Sequence, residues 1–405
     1  MTRLHPAVLA VLSALALAAL TFSGISCTKA GPGASKGSAS ATKSGAGASG
    51  TGRNASQNDG TAWASFRGNP QETGVSDTSL PDRLDLLWTY EAKAAVESTA
   101  AIVDDAVYVG TSGSFLLALD LRKGSVRWSY ATKGNVVAAP CVSEGRVFVG
   151  DTSGLFHAVD ARTGAKLWTF ETADKIVSSA NVAADSVLFG SYDGSLYCLE
   201  AASGREKWTV KTNMPVHASP CVFGANTSMA GCDGVLRIID LPTGRESGKI
   251  EVGSNVAATP AFLDGKLFVA TLTEGLQCVD GTGPKLLWKH APPDMGSLYA
   301  SCAVGPWGVI FATRDGVVSC LDARDAKEKW RFDAKAQIDS SPVVAGRRVF
   351  FGTSDGKLFA LGLDDGAKVW SFAAGSAVTA SCAAARGRVV IGSQDGAIYC
   401  FGAKE

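Results

Sequence analysis

Residues 178–210 read SSANVAADSVLFGSYDGSLYCLEAASGREKWTV, and their pattern indicates the fold of the whole repeat. It contains four short apolar runs, at 178–182, 186–190, 195–199 and 205–210. Asp193-Gly194 joins the second and third runs, and this pair adopts positive φ at little cost; Gly204 marks the next turn. Short apolar runs joined by tight turns predict four antiparallel strands, which together make one blade of a β-propeller.

A tryptophan marks the fourth run and returns along the chain at a nearly constant spacing. The step is 40 residues, with one step of 42, and the tryptophan is missing at Gly248. A period of about 40 residues is typical of repeat architectures. We therefore predict an all-β fold, an eight-bladed β-propeller of four-stranded antiparallel blades, in which each indole docks between neighbouring blades. The blade-docking residues are Trp88, Trp128, Trp168, Trp208, Trp288, Trp330 and Trp370.

The two ends of the repeat predict how the ring closes. The last unit begins near Thr379 and ends at Phe401 after only three strands. A fourth strand with its tryptophan, at residues 86–90, lies instead at the other end of the repeat region. We expect this N-terminal strand to complete the last blade, so that residues 63–405 form one closed propeller.

The first 62 residues predict export and a tether. Residues 1–26 combine a basic start at Arg3 with an apolar core that is short for a membrane-spanning helix, as in a signal peptide. Three outcomes stay open: cleavage with lipidation of Cys27, ordinary cleavage at the same bond, or an uncleaved anchor. Residues 27–62 are mostly glycine, alanine and serine, which predicts a disordered tether between Cys27 and the propeller.

Composition argues against two kinds of partner. Lys plus Arg and Asp plus Glu both number 38, so net charge gives no reason to expect nucleic acid binding. The histidines lack the spacing of metal ligands, so no metal site is predicted. Nearly every aspartate falls in a turn that recurs once per unit, and the repeat itself explains it. We therefore predict no catalytic residue and no metal.

The cysteines follow the repeat as well. Eight of the ten recur at equivalent strand positions, which predicts small buried core residues. The first and third strands of a blade lie roughly 9–10 Å apart, beyond the ~7 Å reach of a disulfide, so Cys302 and Cys320 should not pair. A bridge between neighbouring blades, such as Cys278 with Cys302, stays open. Cys232 precedes a turn and is expected to be exposed.

The repeats resemble the pyrroloquinoline-quinone (PQQ) repeat family of β-propellers over residues 63–405. The resemblance rests on the Asp-Gly turns, on residues 160–168 (DARTGAKLW), and on residues 63–70 and 73–74, which look like the lead-in of exported, non-enzymatic members. Quinone dehydrogenases of this family carry a calcium site and long insertions over the cofactor, and many have adjacent cysteines. This sequence has no adjacent cysteines, no haem-binding Cys-x-x-Cys-His and no long insertion. The resemblance therefore implies a propeller without a cofactor.

The order of signal segment, Cys27, tether and bare propeller is similar to that of the lipoproteins of outer-membrane β-barrel assembly. We expect an exported, lipid-anchored, non-catalytic scaffold that binds envelope proteins, among them a β-barrel assembly component. It should be a monomer that contacts the membrane through its anchor only. Two alternatives stay open, a sensor or ligand-binding propeller for a small molecule or glycan, and a PQQ-dependent dehydrogenase.

The units around residues 248–307 depart most from the repeat. The tryptophan is missing at Gly248, and the connector at 290–299 is rich in proline. Two explanations stay open. One is neutral sequence change in a tolerant loop, and the other is a surface that binds a partner, because loops carry most recognition. In the second reading the anchors are Met295, Leu298, Tyr299 and Trp307, since large side chains dominate binding hot spots.

Overall fold

The computed structural model describes residues 60–253 and 255–404; the predicted signal segment, Cys27 and most of the tether lie outside them. The described residues form 33 β-strands and no helix. Strands β1 (Val75–Ser76) and β2 (Asp85–Glu91) come before the repeat. A helix long and apolar enough to cross a membrane is absent from the described ranges.

The remaining strands form the blades, four per blade except for the last, which contributes three. Blades 1 and 2 contain β3 (Ala101–Val103), β4 (Ala106–Thr111), β5 (Phe115–Asp120), β6 (Val126–Ala131), β7 (Cys141–Ser143), β8 (Arg146–Gly150), β9 (Leu155–Asp160) and β10 (Lys166–Glu171). Blades 3 and 4 contain β11 (Asn181–Ala183), β12 (Ser186–Gly190), β13 (Ser195–Glu200), β14 (Glu206–Lys211), β15 (Cys221–Phe223), β16 (Asn226–Met229), β17 (Val235–Asp240) and β18 (Glu246–Glu251).

The second half of the ring repeats the same plan. Blades 5 and 6 contain β19 (Ala261–Leu263), β20 (Lys266–Thr271), β21 (Gly275–Asp280), β22 (Leu286–His290), β23 (Ala303–Gly305), β24 (Gly308–Ala312), β25 (Val317–Leu321) and β26 (Glu328–Asp333). Blades 7 and 8 contain β27 (Val343–Ala345), β28 (Arg348–Gly352), β29 (Lys357–Gly362), β30 (Lys368–Ala373), β31 (Ala383–Ala385), β32 (Arg388–Gly392) and β33 (Ala397–Gly402).

The N-terminal strand completes the eighth blade. β2 pairs antiparallel with β33, and Trp88 lies opposite Cys400. This sheet has the order β2-β33-β32-β31, so its outer strand comes from the start of the repeat region and its three inner strands from the end. The predicted all-β, eight-bladed propeller with this closure is confirmed.

The tryptophans connect each blade to the next. In six of them the indole Nε1 donates a hydrogen bond of 2.8–3.2 Å to a backbone carbonyl 33 or 35 residues further on, which lies in the following blade. The acceptors are the carbonyls of Leu121, Ala161, Ala201, Leu241, Ala323 and Leu363. Trp370 packs edge-on against Phe401 of the eighth blade. Each indole thus packs against the neighbouring blade, and in six of the seven the Nε1 group has a hydrogen-bond acceptor there.

A glycine lies beneath five of these indoles, four residues before the next tryptophan position. At Gly164, for example, φ is +73° and an added Cβ would come within 2.7 Å of the ring of Trp128. The same contact occurs at Gly124, Gly204, Gly244 and Gly366. At these five positions the glycine leaves room for the ring as well as forming the turn. At the interface of Trp288 the equivalent residue is Ala326, which adopts the same left-handed turn with φ of +59°.

The interface between blades 4 and 5 lacks both residues of this arrangement, one from each blade. Gly248 occupies the tryptophan position, and Pro284 occupies the position of the glycine beneath it. A Cβ on Gly248 would lie 2.7 Å from the ring of Pro284, so the proline fills space at the root of the absent indole. The tryptophan and the glycine that accompanies it at five other interfaces are therefore both absent here.

Residues 60–78, which we call the strap, cross the inner strands of the propeller near its axis. Strap carbonyls accept backbone N–H groups of seven blades at 2.7–3.1 Å. The donors are the amides of Ile102, Val142, Val222, Phe262, Val304, Val344 together with Gly346, and Arg386. The strap therefore satisfies inner-strand amides that would otherwise be buried without a partner.

The cysteines match the expectation in most respects. Eight of them are buried, free thiols, so Cys278 and Cys302 do not form the inter-blade bridge that the sequence left open. The expected exposure of Cys232 is wrong, because the residue is 6 % exposed. Its backbone amide donates to the carbonyl of Pro215 at 3.1 Å, which holds the turn against the preceding connector.

We predict that Gly164→Ala destabilises the propeller much more than Gly145→Ala. Both glycines have φ of +73°, so both substitutions incur the left-handed penalty of about 1–2 kcal/mol. Only Gly164 lies beneath an indole, and displacing that ring adds about 1–3 kcal/mol of overpacking. Urea unfolding measures both free energies; equal losses for the two variants would contradict a steric role for the glycine.

Candidate functional site

The propeller has two chemically different faces. Because the four strands of a blade alternate in direction, the connectors between blades and the second turn of each blade share one face, which we call the mouth face. The first and third turns share the other face, which the strap crosses, and we call it the strap face. A site can therefore be assigned to a face from its position in the repeat.

A ring of hydroxyl groups lines the axial channel. In six successive blades a hydroxyl accepts the backbone N–H of the equivalent residue one blade earlier, at 2.9–3.0 Å. The ring is interrupted at Ala139, which has no hydroxyl. These hydrogen bonds join the blades at the axis, as the indoles join them nearer the rim. The ring positions are Thr99, Ala139, Ser179, Ser219, Thr259, Ser301, Ser341 and Ser381.

The mouth of the channel is polar on one side and apolar on the other. Arg314 pairs with Asp339 at 3.1 Å and lies 4.3 Å from the ring centre of Tyr299. Glu97 accepts a hydrogen bond of 3.3 Å from Gln394. The opposite rim consists mainly of Val137, Val177 and Ala257, together with His217. Burial lowers the pKa of His217 to about 4, so this imidazole is neutral near pH 7.

The strap forms the floor of the channel. Phe66 lines the cavity, and the fully buried Arg67 reaches across to donate to the carbonyls of Cys302 and Pro342, at 3.2 and 2.5 Å. Burial lowers the pKa of Arg67 to about 10 and raises that of the buried Glu72 well above its usual range. The channel is thus open at the mouth face and closed on the strap face.

Asn181 joins the strap to the one blade that the strap carbonyls bypass. Its Nδ2 donates to the carbonyls of Pro70 and Pro220, both at 2.8 Å, and to Glu72 at 3.2 Å. Its Oδ1 accepts the amide of Val182, the group that a strap carbonyl accepts in neighbouring blades. The asparagine therefore replaces a direct backbone contact in blade 3.

A buried polar cluster bridges blades 1 and 2. His157 contacts Tyr130 through Nδ1 at 3.1 Å and Asp151 through Nε2 at 3.0 Å. Burial acts to raise the pKa of Asp151, but hydrogen bonds from His157, Ser153 and two backbone amides outweigh it and hold the pKa well below its usual range. His157 and Asp151 are almost fully buried. The cluster therefore stabilises the junction of two blades and offers no accessible nucleophile.

The residues around the channel do not fit a calcium–quinone cofactor. The cavity is about 180 Å³, below the ~300–1,000 Å³ of typical ligand pockets. Calcium takes six to eight oxygen ligands, whereas the cavity wall presents two carboxylates, Glu97 and Asp339, and Asp339 is already paired with Arg314. No group of three potential metal ligands among His, Cys, Asp and Glu exists in the described part of the chain.

The strap face carries a larger and more apolar groove. It measures about 520 Å³ and runs between the strap and the first turns of blades 4 to 7. Its apolar wall includes Phe223, Phe262, Leu263, Pro306, Trp307 and Val344. A groove of this size and composition suits the side chains of a bound polypeptide better than a polar metabolite.

The four residues predicted as one partner surface do not lie together. Leu298 is fully buried in the core, and Met295 packs half-buried against the same core. Tyr299 borders the channel on the mouth face, whereas Trp307 lines the groove on the strap face. The prediction of a single surface is wrong because the inner strand β23 separates Tyr299 from Trp307 and carries the chain from one face to the other.

Comparison with known proteins identifies the family. The family model described as outer membrane protein assembly factor BamB matches residues 81–184, 152–246 and 285–405, which together cover more than half of the chain. The chain belongs to this family. Residues 247–284, which include Gly248 and Pro284, fall outside the matched ranges. No curated protein matches the chain.

Solved structures share the BamB-type fold at low sequence identity. BamB from Moraxella catarrhalis is 20 % identical with a TM-score of 0.70, over 80 % of this chain and 98 % of that one. The quinohemoprotein alcohol dehydrogenase from Comamonas testosteroni is 16 % identical with a TM-score of 0.73, over 85 % of this chain and 81 % of that one. The computationally designed Ika8 protein is 17 % identical with a TM-score of 0.70, over 77 % and 98 %. At these identities the structural matches establish the fold alone.

Two features of the site escaped the sequence analysis although the sequence contains their signal. The hydroxyl ring recurs at the same 40-residue period as the tryptophans, with serine or threonine at nearly every position. Asn181 is polar where the other blades have alanine, cysteine or valine. Both signals appear only when the units are compared position by position.

We predict that Asn181→Ala loosens the strap. The substitution removes a donor from Glu72 and from the carbonyl of Pro220, and it removes the acceptor of the Val182 amide, at about 1–3 kcal/mol for each unsatisfied group. The carbonyl of Pro70 keeps the amide of Val222. Urea unfolding should show a loss on the order of 3 kcal/mol, and limited proteolysis should cleave within residues 60–78 sooner. Cys141→Ala, at the equivalent position of blade 2, is the control and should cost about 1 kcal/mol. Equal losses would argue against the bridging role.

Proposed function

We propose that the chain is an exported, lipid-anchored, non-catalytic scaffold that binds proteins at the cell envelope during outer-membrane protein assembly. The observation that carries the proposal is the match to the BamB assembly-factor family. The partners are envelope proteins, including a β-barrel assembly component. The propeller acts as a monomer, and Cys27 carries the lipid that holds it at the membrane.

The shape of the molecule supports a binding role. Short turns join the strands of every blade in the described ranges, so no element apart from the strap covers either face. Both faces, and the outer strands at the rim, are therefore open to large partners. The outer strand β22 exposes two adjacent leucines, Leu286 and Leu287, whereas the equivalent positions of β14 are Glu206 and Lys207. Charged edges discourage strand addition, so β22 is the more receptive edge for a partner strand.

An envelope pull-down tests the scaffold proposal. The full chain with a C-terminal tag, cross-linked in cells and purified from envelope extracts, should recover a β-barrel assembly component. The control is the same capture with the tagged signal segment and tether fused to an unrelated domain, which should not recover it. Recovery of envelope proteins with no assembly component among them would contradict the assembly role.

Acyl labelling in the same cells tests the anchor. The wild-type chain should incorporate labelled fatty acid and remain with the membranes, and Cys27→Ser should lose both properties. Export of an unlabelled wild-type chain would show ordinary cleavage and would remove the lipid from the proposal.

A quinone enzyme is the second candidate, since a structural neighbour is an alcohol dehydrogenase. The small cavity and the sparse carboxylates argue against it, as described above. We predict that purified protein mixed with pyrroloquinoline quinone and calcium shows no shift in quinone absorbance after gel filtration. A dye-linked assay with a panel of alcohols should give no turnover. Retained quinone at a stoichiometric level would contradict the non-catalytic proposal.

A further inference from the structure

The cleft between blades 4 and 5 occupies the place of the missing tryptophan. It measures about 530 Å³ and opens on the strap face beside Ser247 and Thr282, which are both exposed. Its wall includes Phe223, Ile238, Phe262, Gly281 and Pro284. We call this cleft the indole socket.

The repeat shows what the socket is built to hold. In blade 3, Trp208 packs against Ala183, Cys198, Val222 and Leu241. Forty residues further on, the same positions are Phe223, Ile238, Phe262 and Gly281, all of which line the socket. The positions that surround an indole elsewhere therefore line an open cleft here, with the stacked rings of Phe223 and Phe262 in place of Ala183 and Val222, and the chain supplies no indole to it.

The hydrogen-bond acceptor for an indole is present as well. Six indoles donate to the carbonyl that follows the third strand of the next blade, and Trp208 does so to Leu241 at 2.8 Å. The equivalent carbonyl is that of Gly281, and within the described residues no donor reaches it. The amide of the same glycine is satisfied by the carbonyl of Gly265. The socket thus offers an apolar wall with one unused acceptor, which suits an N–H-bearing aromatic ring.

The socket continues into the apolar groove of the strap face. Phe223, Gly224 and Phe262 line both spaces, and Trp307 lies in the wall of the groove. Gln71 also lines the groove, and its buried Oε1 has no donor among the described residues. A polypeptide lying in the groove would place apolar side chains along the wall and a backbone N–H within reach of Gln71.

We propose that the socket and groove bind a segment of a partner protein that carries a tryptophan, whose indole enters the socket and donates to the carbonyl of Gly281. This inference rests on the proposed function and specifies the chemistry of the partner. The chain's own tether does not supply the ring, because residues 27–59 contain no aromatic residue. Gly248, Phe262, Gly281 and Pro284 lie in residues 247–284, which the family match does not cover, whereas Phe223 and Ile238 lie within the matched ranges.

The chemistry of the socket is tested with N-acetyl-L-tryptophanamide and the full chain. We expect the probe to bind at about millimolar affinity and to shift the amide resonances of Gly281 and Thr282. N-acetyl-L-phenylalaninamide should bind roughly three- to tenfold more weakly, because it fits the wall but has no N–H for the carbonyl. The absence of any shift with the tryptophan probe, or equal binding of both probes, would overturn the proposal.

Two substitutions remove the site by different means. Gly248→Trp combined with Pro284→Gly restores the repeat, fills the socket with the chain's own indole and should abolish probe binding. Pro284→Gly alone is the matched control and should still bind. Should the double variant not fold, Ser247→Lys places a long side chain at the entrance and should weaken binding at least about threefold. The equivalent residues Lys207 and Lys329 show that this position accepts lysine.

The envelope pull-down separates this inference from the proposed function. If wild type recovers a β-barrel assembly component and the filled-socket variant recovers at least about fivefold less, both proposals hold. Equal recovery by the two proteins would overturn the socket and leave the scaffold role intact. Probe binding without recovery of any envelope protein would overturn the scaffold role. Capture of a second copy of this chain in place of another protein would overturn the proposed partner.

Discussion

The contact of an indole with the glycine of the next blade is the constraint on which this propeller depends. A single four-stranded sheet cannot bury both of its faces, so each blade is stable only against its neighbours. The indole covers apolar surface of the next blade and its Nε1 reaches that blade's backbone, as Trp128 does with Ala161. The ring fits because Gly164 has no side chain. At five of the eight interfaces one such pair of residues therefore sets the distance and orientation between blades.

Closure at the axis follows a different rule, since the inner strands are too close to the axis for large side chains. There the blades are joined by small hydroxyls and by the strap, which satisfies inner-strand amides with its own carbonyls. In blade 3 no carbonyl of strap residues 60–78 accepts the inner-strand amide. The side-chain amide of Asn181 replaces it, accepting from that backbone N–H and donating to the strap. Large indoles near the rim and small hydroxyls near the axis thus both join neighbouring blades. Neither set of contacts covers the mouth face.

Much of the fold could be predicted from the sequence because the indole–glycine constraint is local and periodic. The last unit has only three strands, and a strand with a tryptophan lies at residues 86–90, so even the pairing of β2 with β33 could be predicted. The partner surface could not be predicted in this way. Tyr299 and Trp307 are close in sequence but lie on opposite faces, because one short strand crosses the whole blade between them. Sequence irregularity does not show in which direction a strand runs, and therefore not on which face each residue lies. The strap contacts could not be predicted either, because they join residues far apart in the chain.

The interface at Gly248 shows how a repeat can gain a site without an insertion. Most mutations that remove a wedge between blades would leave a cavity and cost stability. Here Pro284 and the stacked pair Phe223 and Phe262, with ring centres 4.4 Å apart, occupy part of the space and support the interface. What they leave open still has the wall and the acceptor of an indole position. Seven indoles still join the other blades, so the ring can lose the eighth, and the position that it leaves can take an aromatic side chain from another molecule.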